Sequence, residues 1–326
     1  MKVLVTGGAG YIGSQMTRQL IERGDEVVIF DNLGEGHKKA IPEGAALVVG
    51  DINDQKALDS LFNQYKFDAV MHFVGVISMA ESMENPYKYF YTNTFGALNL
   101  FEVMIKFSVK KLIFSSTAGV YGDPLHTPIA EEDPKNPTNP YGESKLMVEK
   151  ILAWYDEIFG LRSISLRYFN AAGASLDGQF GENHREETHI IPLAIKAVLT
   201  KAPFTLYGTD YQTKDGTCIR DYVHVVDLCN AHLLALDALL KDHKTDAFNV
   251  GPGIGFSNKE VIETIKKIIG IDFYVEIGER RAGDADELIA DVSKIKEELG
   301  WQPKYSDLET IVKTAWQWHK SHPKGY

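Results

Sequence analysis

Residues 2–13, Lys2-Val3-Leu4-Val5-Thr6-Gly7-Gly8-Ala9-Gly10-Tyr11-Ile12-Gly13, join a short apolar run to a glycine-rich turn. The run reads as a buried strand and the turn as its tight exit. Apolar residues then recur at Ile12, Met16, Leu20 and Ile21, the spacing of one helix face, and Gly24 follows as a C-cap. A further apolar run over 26–30 reads as the next strand. This unit of about thirty residues has the size of a βαβ crossover. Its glycines satisfy both GxxGxxG and GxGxxG between a strand and a helix, where Gly7, Gly10 and Gly13 let backbone approach a pyrophosphate at a helix N-terminus. Asp31 follows the second strand, 18 residues after Gly13. A carboxylate there suits both ribose hydroxyls and repels a 2′-phosphate, which favours NAD over NADP. Asp51, ending a third strand, is placed to meet an adenine amine.

The same alternation continues outward. Strands are expected over 45–49, 69–73, 111–115 and 163–167, with helices over 54–65, 86–107 and 141–159. Near-continuous apolar strands between helices imply a parallel sheet covered on both faces. The expected fold is α/β, a Rossmann-type doubly wound parallel sheet with a smaller C-terminal substrate-binding α/β lobe. After Phe169 the texture becomes rich in Gly, Asn and acidic groups. The division expected is 1–170 for the NAD-binding domain, with segments near 223–250 able to return to it, and 171–326 for the substrate domain. Further helices are expected over 189–200, 226–241, 257–269, 293–299 and 308–320.

Composition narrows the function. The chain has 326 residues, 44% hydrophobic and 24% charged, which allows a sizeable core and excludes disorder. Its 34 basic against 45 acidic residues leave a net charge of −11. Nucleic acid and anionic membranes are therefore not expected partners. No apolar stretch approaches the ~20 residues of a membrane span. Cys218 and Cys229 are too few for a disulfide framework, and buried thiols in a reducing cytoplasm are expected.

Tyr141-Gly142-Glu143-Ser144-Lys145 opens a helix after a proline-rich loop. Among 15 tyrosines only Tyr141 has Lys four residues on, on the same helix face. A phenol near pKa ~10 is a poor base, but a nearby ammonium and a positive nicotinamide ring both favour its phenolate. Ser115-Ser116-Thr117 ends the preceding strand, where ligands of doubly wound sheets collect. Thr117 is placed to hold the substrate oxygen that Tyr141 deprotonates, whereas capping of local backbone suits Ser115 or Ser116 better.

Together, the glycine turn, Asp31-Asn32, the strand-end hydroxyl and YxxxK resemble the extended short-chain dehydrogenase/reductases. Residues 114–122, Arg167-Tyr168-Phe169-Asn170, residues 215–225, Arg280-Arg281-Ala282-Gly283-Asp284 and the closing His322-Pro323-Lys324-Gly325-Tyr326 narrow the likeness to its members that invert C4 of a UDP-hexose. The resemblance spans nearly the whole chain. It implies NAD as cofactor, a UDP-sugar as substrate and a homodimer. The implied reaction interconverts UDP-glucose and UDP-galactose by C4 oxidation, rotation of the 4-keto sugar and re-reduction. By resemblance, Tyr11, Ile12, Asp31, Asn32, Asp51, Ile52, Phe73, Gly75 and Tyr168 would touch NAD, with Lys145 on the nicotinamide ribose. Thr117 and Tyr141 would meet the hexose. Asn170, Arg220, Arg281 and Asp284 would hold UDP, and Ile190, Tyr207 and Tyr222 would line its pocket.

Ile77 stands where many members carry Lys near the cofactor phosphates. Leu288 falls near the position that gates the hexose 2-substituent, which leaves N-acetylated and pentose substrates open. Related dehydratases use an Asp-Glu pair after the strand-end Thr. Ala118 and Gly119 stand there and cannot carry a proton, which disfavours elimination. Decarboxylation and a non-catalytic NAD-binding regulator remain as alternatives. No metal is expected, and residues 182–189 read as a polar loop capping the next helix. Glu131-Glu132-Asp133 reads as a solvated loop. His224, His232, Trp301, Trp316 and Trp318 read as structural.

Overall fold

The computed structural model describes residues 1–280 and 284–326. The chain opens with β1 (Lys2–Thr6), α1 (Tyr11–Glu22), β2 (Glu26–Asp31), β3 (Ala46–Val49), α2 (Gln55–Gln64) and β4 (Ala69–His72). Next come α3 (Met79–Glu84) and α4 (Pro86–Tyr89), which passes through a π-helical turn, Phe90–Phe95, into α5 (Gly96–Lys106). β5 (Lys111–Thr117), α6 (Pro140–Phe159) and β6 (Arg162–Tyr168) complete this alternation. Residues 86–106 are thus helical as expected, with a π-turn inside that periodicity did not reveal.

Six of these strands and a later one, β10 below, form a seven-stranded sheet in the order β10-β6-β5-β4-β1-β2-β3. Every pairing is parallel. The order reverses between β1 and β4, the switch point at which such sheets open a crevice. Strand residues alternate between two apolar layers, Val3 and Val5 facing one and Leu4 the other. Both faces are covered, which explains why these strands read as unbroken apolar runs.

After β6 come β7 (Asn170–Ala172), α7 (Ile190–Thr200), β8 (Phe204–Tyr207), β9 (Ile219–His224), α8 (Val225–Leu240) and β10 (Asp246–Val250). The chain closes with β11 (Gly255–Ser257), α9 (Asn258–Ile269), β12 (Val275–Gly278), β13 (Glu287–Leu288), α10 (Ser293–Leu299) and α11 (Leu308–Ser321). β9 is the hub of a four-stranded sheet with β7, β11 and β13, and β8 pairs with β12. β10 lies against β6 at the edge of the large sheet. Strands of two to six residues between polar loops gave no period to read, so this second sheet was not expected strand by strand.

Helix ends follow local chemistry. Asn139 caps α6 by accepting from the Gly142 amide at 2.9 Å, and Gly160 ends it at φ 66°. Ser257 and Glu260 close a capping box on α9. Trp301 and Trp318 are buried core residues, and both cysteines are buried. One loop differs from expectation: Glu131 is buried, and its carboxylate accepts the Asn249 amide at 2.7 Å. Burial pushes its carboxyl up, and the backbone donor that replaces water acts against that rise. No helix among the described residues is long and apolar enough to cross a membrane.

Candidate active site

The strands of the parallel sheet end on one edge, and the expected cofactor and catalytic residues stand at or just after the ends of β1 to β6 or on α6. Gly7 turns at φ 75°, and a Cβ on it would meet the Phe73 carbonyl carbon at 2.9 Å. A Cβ on Gly13 would lie 2.1 Å from the Gly7 carbonyl oxygen, so helix and turn pack on bare backbone. At Gly10 a Cβ would find only the Gly7 oxygen, at 3.4 Å, so this face of the turn is open. Gly10 is also the N-cap of α1, with no side-chain cap and no acid in the first turn. Those features fit a pyrophosphate, which would take up the uncapped amides. Asp31 is buried, its oxygens held by the amides of Ala9 at 3.0 Å and Leu33 at 2.8 Å. The carboxylate is thereby fixed beside the turn, as a ribose ligand needs. Asn32 donates to Asp51 at 2.8 Å, and Asp51 also accepts the Asn53 amide. These bonds hold its carboxyl below the usual range against the opposing effect of burial.

Ile52 is buried against Gly96, where a Cβ would meet it at 2.6 Å. Tyr11 donates its hydroxyl to the Gly173 carbonyl at 2.7 Å. Tyr168 is buried, hydrogen-bonded to His232, and Phe73 packs on the same imidazole at 4.9 Å. Ile77 is exposed, just ahead of α3.

On α6, Tyr141 is half-buried and Lys145 buried, one turn apart. The Lys145 ammonium donates to the Ser115 carbonyl at 2.9 Å and lies 5.0 Å from the Phe114 ring centre. A Cβ on Gly75 would stand 3.0 Å from it, so the glycine makes room for this side chain. Burial pulls the ammonium down to about 8. Burial pushes the Tyr141 phenol above its ordinary value, and the Thr117 side chain opposes that rise. The expected lowering of the phenol is therefore not met by the chain's own groups, because desolvation outweighs them. A second difference concerns Thr117, whose Oγ1 also accepts the Gly119 amide at 3.0 Å. The local capping expected of Ser115 or Ser116 falls to Thr117, because the chain turns into a 3-10 helix, Ala118–Val120, directly after it. Ser116 instead donates to Glu149, which forms a buried ion pair with Arg167 at 2.7 Å.

Asn93 was not singled out from sequence. It is buried in the π-turn, donates to Ser144 Oγ at 3.0 Å and accepts the Val76 amide at 2.9 Å. It therefore fixes α6 to the segment after β4. π-Turns often mark functional positions, but a lone mid-helix Asn carries no sequence signal of one.

A second cleft of about 120 Å³ is lined by Asn170, Ile190, Tyr207, Arg220 and Tyr222, with Glu182 and His189 on its wall. Arg220 spends one nitrogen on the Ala285 carbonyl at 2.9 Å and turns another toward Asp284 at 3.6 Å. Arg280, also not singled out, stacks over Tyr211 at 4.1 Å and pairs with Asp286 at 2.8 Å. Arg281 lies outside the described residues. His189 is the N-cap residue of α7 but makes no side-chain cap, because its imidazole is bonded to Glu182. The loop thus differs from the capping role expected of it.

A glycine-lined helix start at the switch point of a doubly wound sheet defines a dinucleotide-binding α/β protein. The chain belongs to the NAD dependent epimerase/dehydratase family, which it matches over residues 3–251. It is 49% identical to the UDP-glucose 4-epimerase of Lacticaseibacillus casei, covering 100% of this chain and 99% of that one. The structure of UDP-glucose 4-epimerase from Bifidobacterium longum in complex with NAD+ and UDP superposes with a TM-score of 0.95 at 35% identity, covering 100% of both chains. That of the UDP-Glc/GlcNAc 4-epimerase from Campylobacter jejuni gives 0.86 at 45% identity, covering 98% of this chain and 99% of that one.

Proposed function

We propose that this chain is an isomerase that interconverts UDP-glucose and UDP-galactose through a tightly held NAD, with Tyr141 moving the C4 hydroxyl proton. The observation that carries the reading is Lys145, buried one turn after Tyr141 on α6 and anchored on the Ser115 carbonyl at the end of β5, the strand that Thr117 closes. It supports a proton carrier and a second hydroxyl at a strand end of the kind where ligands of doubly wound sheets collect.

NAD would rest on Gly7, Gly10, Tyr11, Ile12 and Gly13, with Asp31 and Asn32 at the adenosine ribose. Asp51 and Ile52 would border the adenine, and Phe73, Gly75, Lys145 and Tyr168 the nicotinamide end. When bound, it supplies a hydride acceptor and then a hydride donor at C4. The chain's own residues move the proton and hold the sugar. Lys145, together with the charge of a bound nicotinamide ring, would draw half-buried Tyr141 toward its phenolate. Thr117 shares the hydroxyl proton and keeps the C4 oxygen in reach. Arg220, with Asn170, Ile190, Tyr207, Tyr222 and Asp284, grips UDP, since a guanidinium can bind phosphate bidentately. The hexose is left loosely held and free to turn over. Ala118 and Gly119 offer no acid or base, so elimination does not compete.

Galactose metabolism and the cytoplasm are the setting this reading implies. The protein acts as a homodimer. Tyr87, Tyr91 and Phe95 stack along the outside of the 86–106 helical run at 5.5 and 5.3 Å, and Trp154 and Ile158 are exposed on α6. A second copy would cover both helices in a four-helix packing.

The experiment is incubation with UDP-glucose, UDP-N-acetylglucosamine and a UDP-pentose, with no added NAD, followed by separation of products. Conversion of UDP-glucose to UDP-galactose is expected. Conversion of another sugar alone would replace this substrate assignment. No turnover, with no absorbance of reduced nicotinamide, would favour the non-catalytic regulator.

A further inference from the structure

Residues 182–189 carry four side chains of metal-binding type, Glu182, His184, Glu187 and His189. One candidate ligand atom from each lies within 4.8 Å of the other three. His184 Nδ1 stands 3.4 Å from Glu182 Oε1 and 3.3 Å from Glu187 Oε2, and His189 Nδ1 stands 3.7 Å from Glu187 Oε1. A tetrahedral cation with bonds of about 2.0–2.1 Å spaces its ligand atoms by about 3.3 Å. The two His184 separations have that scale, and His189 stands slightly farther from the other Glu187 oxygen. The one closer approach, His189 to Glu182, is a hydrogen bond whose proton a cation would replace.

The cluster is anchored. Glu182 is only 4% exposed. The amides of Thr188 and His189 both donate to Glu187 Oε1 at 2.9 Å, which fixes that carboxylate with Oε2 toward His184. A different trio, His243, Asp246 and Glu298, also brings ligand atoms together, but Lys294 already occupies its carboxylate at 2.6 Å.

We propose that Glu182, His184, Glu187 and His189 form a binding site for a divalent transition cation of the zinc type, on the wall of the nucleotide cleft. Two imidazoles with two carboxylates suit zinc, whereas magnesium and calcium favour all-oxygen sites. The site is structural. Its segment reaches the loop after β2, where His37 meets the Asn183 carbonyl at 2.9 Å and Arg185 the Leu33 carbonyl at 3.3 Å. At its other end Thr188 and His189 line the second cleft. A bound cation would tie the segment that bridges the two.

The test is metal binding, independent of turnover. Full-length protein is stripped with a chelator, dialysed against Zn2+ in excess Mg2+, and measured by elemental analysis and X-ray absorption. One zinc per chain is expected, with nitrogen and oxygen ligands and imidazole scattering. His184→Gln and Glu187→Gln should each weaken binding at least about 10-fold, the scale on which even outer-shell contacts act. His243→Gln should leave it unchanged. No retained zinc, a sulfur ligand, or unaltered affinity in both variants would overturn the proposal. Should the variants not fold, the absorption spectrum of the unaltered protein decides alone.

Discussion

The Lys145 ammonium donates to the Ser115 carbonyl at 2.9 Å, which pins the first turns of α6 to the end of β5. The bond holds a desolvated cation where burial has already pulled it down to about 8. Lys145→Met should keep the packing of the stem and remove the charge. Turnover is expected to fall by about 100-fold or more, the low end of what a positioned proton-transfer system contributes. Initial-rate measurements on protein with verified NAD content would check this. A rate within a few fold of the parent would remove Lys145 from the mechanism.

Tyr141→Phe removes only the phenolic hydroxyl. NAD content should be retained while turnover drops by about 10²–10⁴-fold. Thr117→Val, which also deletes the acceptor for the Gly119 amide, should lower the rate less and cost about 1 kcal/mol of stability. Steady-state rates paired with thermal unfolding separate the two effects. Near-normal epimerisation in Tyr141→Phe would refute the assignment.

Arg220 turns one guanidinium nitrogen toward Asp284 in the second cleft. Charge-assisted bonds to phosphate are worth about 1.5–3 kcal/mol, so Arg220→Ala should weaken UDP binding by roughly 10- to 150-fold. Arg220→Lys should recover only part of this, because a point charge cannot replace the fork. Calorimetric titration with UDP reads both.

Asp221 is fully buried; one carboxylate oxygen accepts the amides of Gly253 at 3.0 Å and Ala290 at 3.1 Å, and the other has no hydrogen-bond partner among the described residues. Burial pushes its carboxyl up from 3.8 to about 7, with those amides acting against the rise. The folded state then binds the proton more tightly than the unfolded state. Its stabilising share is complete below about pH 4 and is lost as pH rises through about 7. Asp221→Asn should flatten this part of the stability profile between those limits. Denaturant midpoints measured across that range provide the check, and an unchanged slope would remove Asp221 as its source.

Tyr87, Tyr91 and Phe95 form an exposed aromatic ladder. Tyr91→Glu should put a charge into the proposed dimer face and shift the protein to monomer in light scattering. A parent protein that is already monomeric at micromolar concentration would refute the homodimer.

Much of the site was legible because its parts are local in the chain. GxGxxG needs a strand, a turn and a helix in one stretch, and Tyr141 and Lys145 share a face simply by lying four apart. Asn93 and Glu131 were not legible for the opposite reason. A buried polar residue is recognised by the distant donors that satisfy it, here the amides of Val76 and Asn249. The Thr117 cap likewise depended on a turn whose geometry no residue pattern announced.

The sequence by itself determined the parallel α/β order, the glycine turn, the carboxylate that ends the second strand and the tyrosine–lysine pair, since period and spacing carry those directly. Only the tertiary structure decided that Lys145 meets the Ser115 carbonyl, that β10 returns beside β6, and that Glu182, His184, Glu187 and His189 converge. It also set the pKa directions, because desolvation comes from whatever the rest of the chain packs around a group. Short-range order follows from the residues in line, whereas contact and dielectric follow from neighbours that the line keeps far apart.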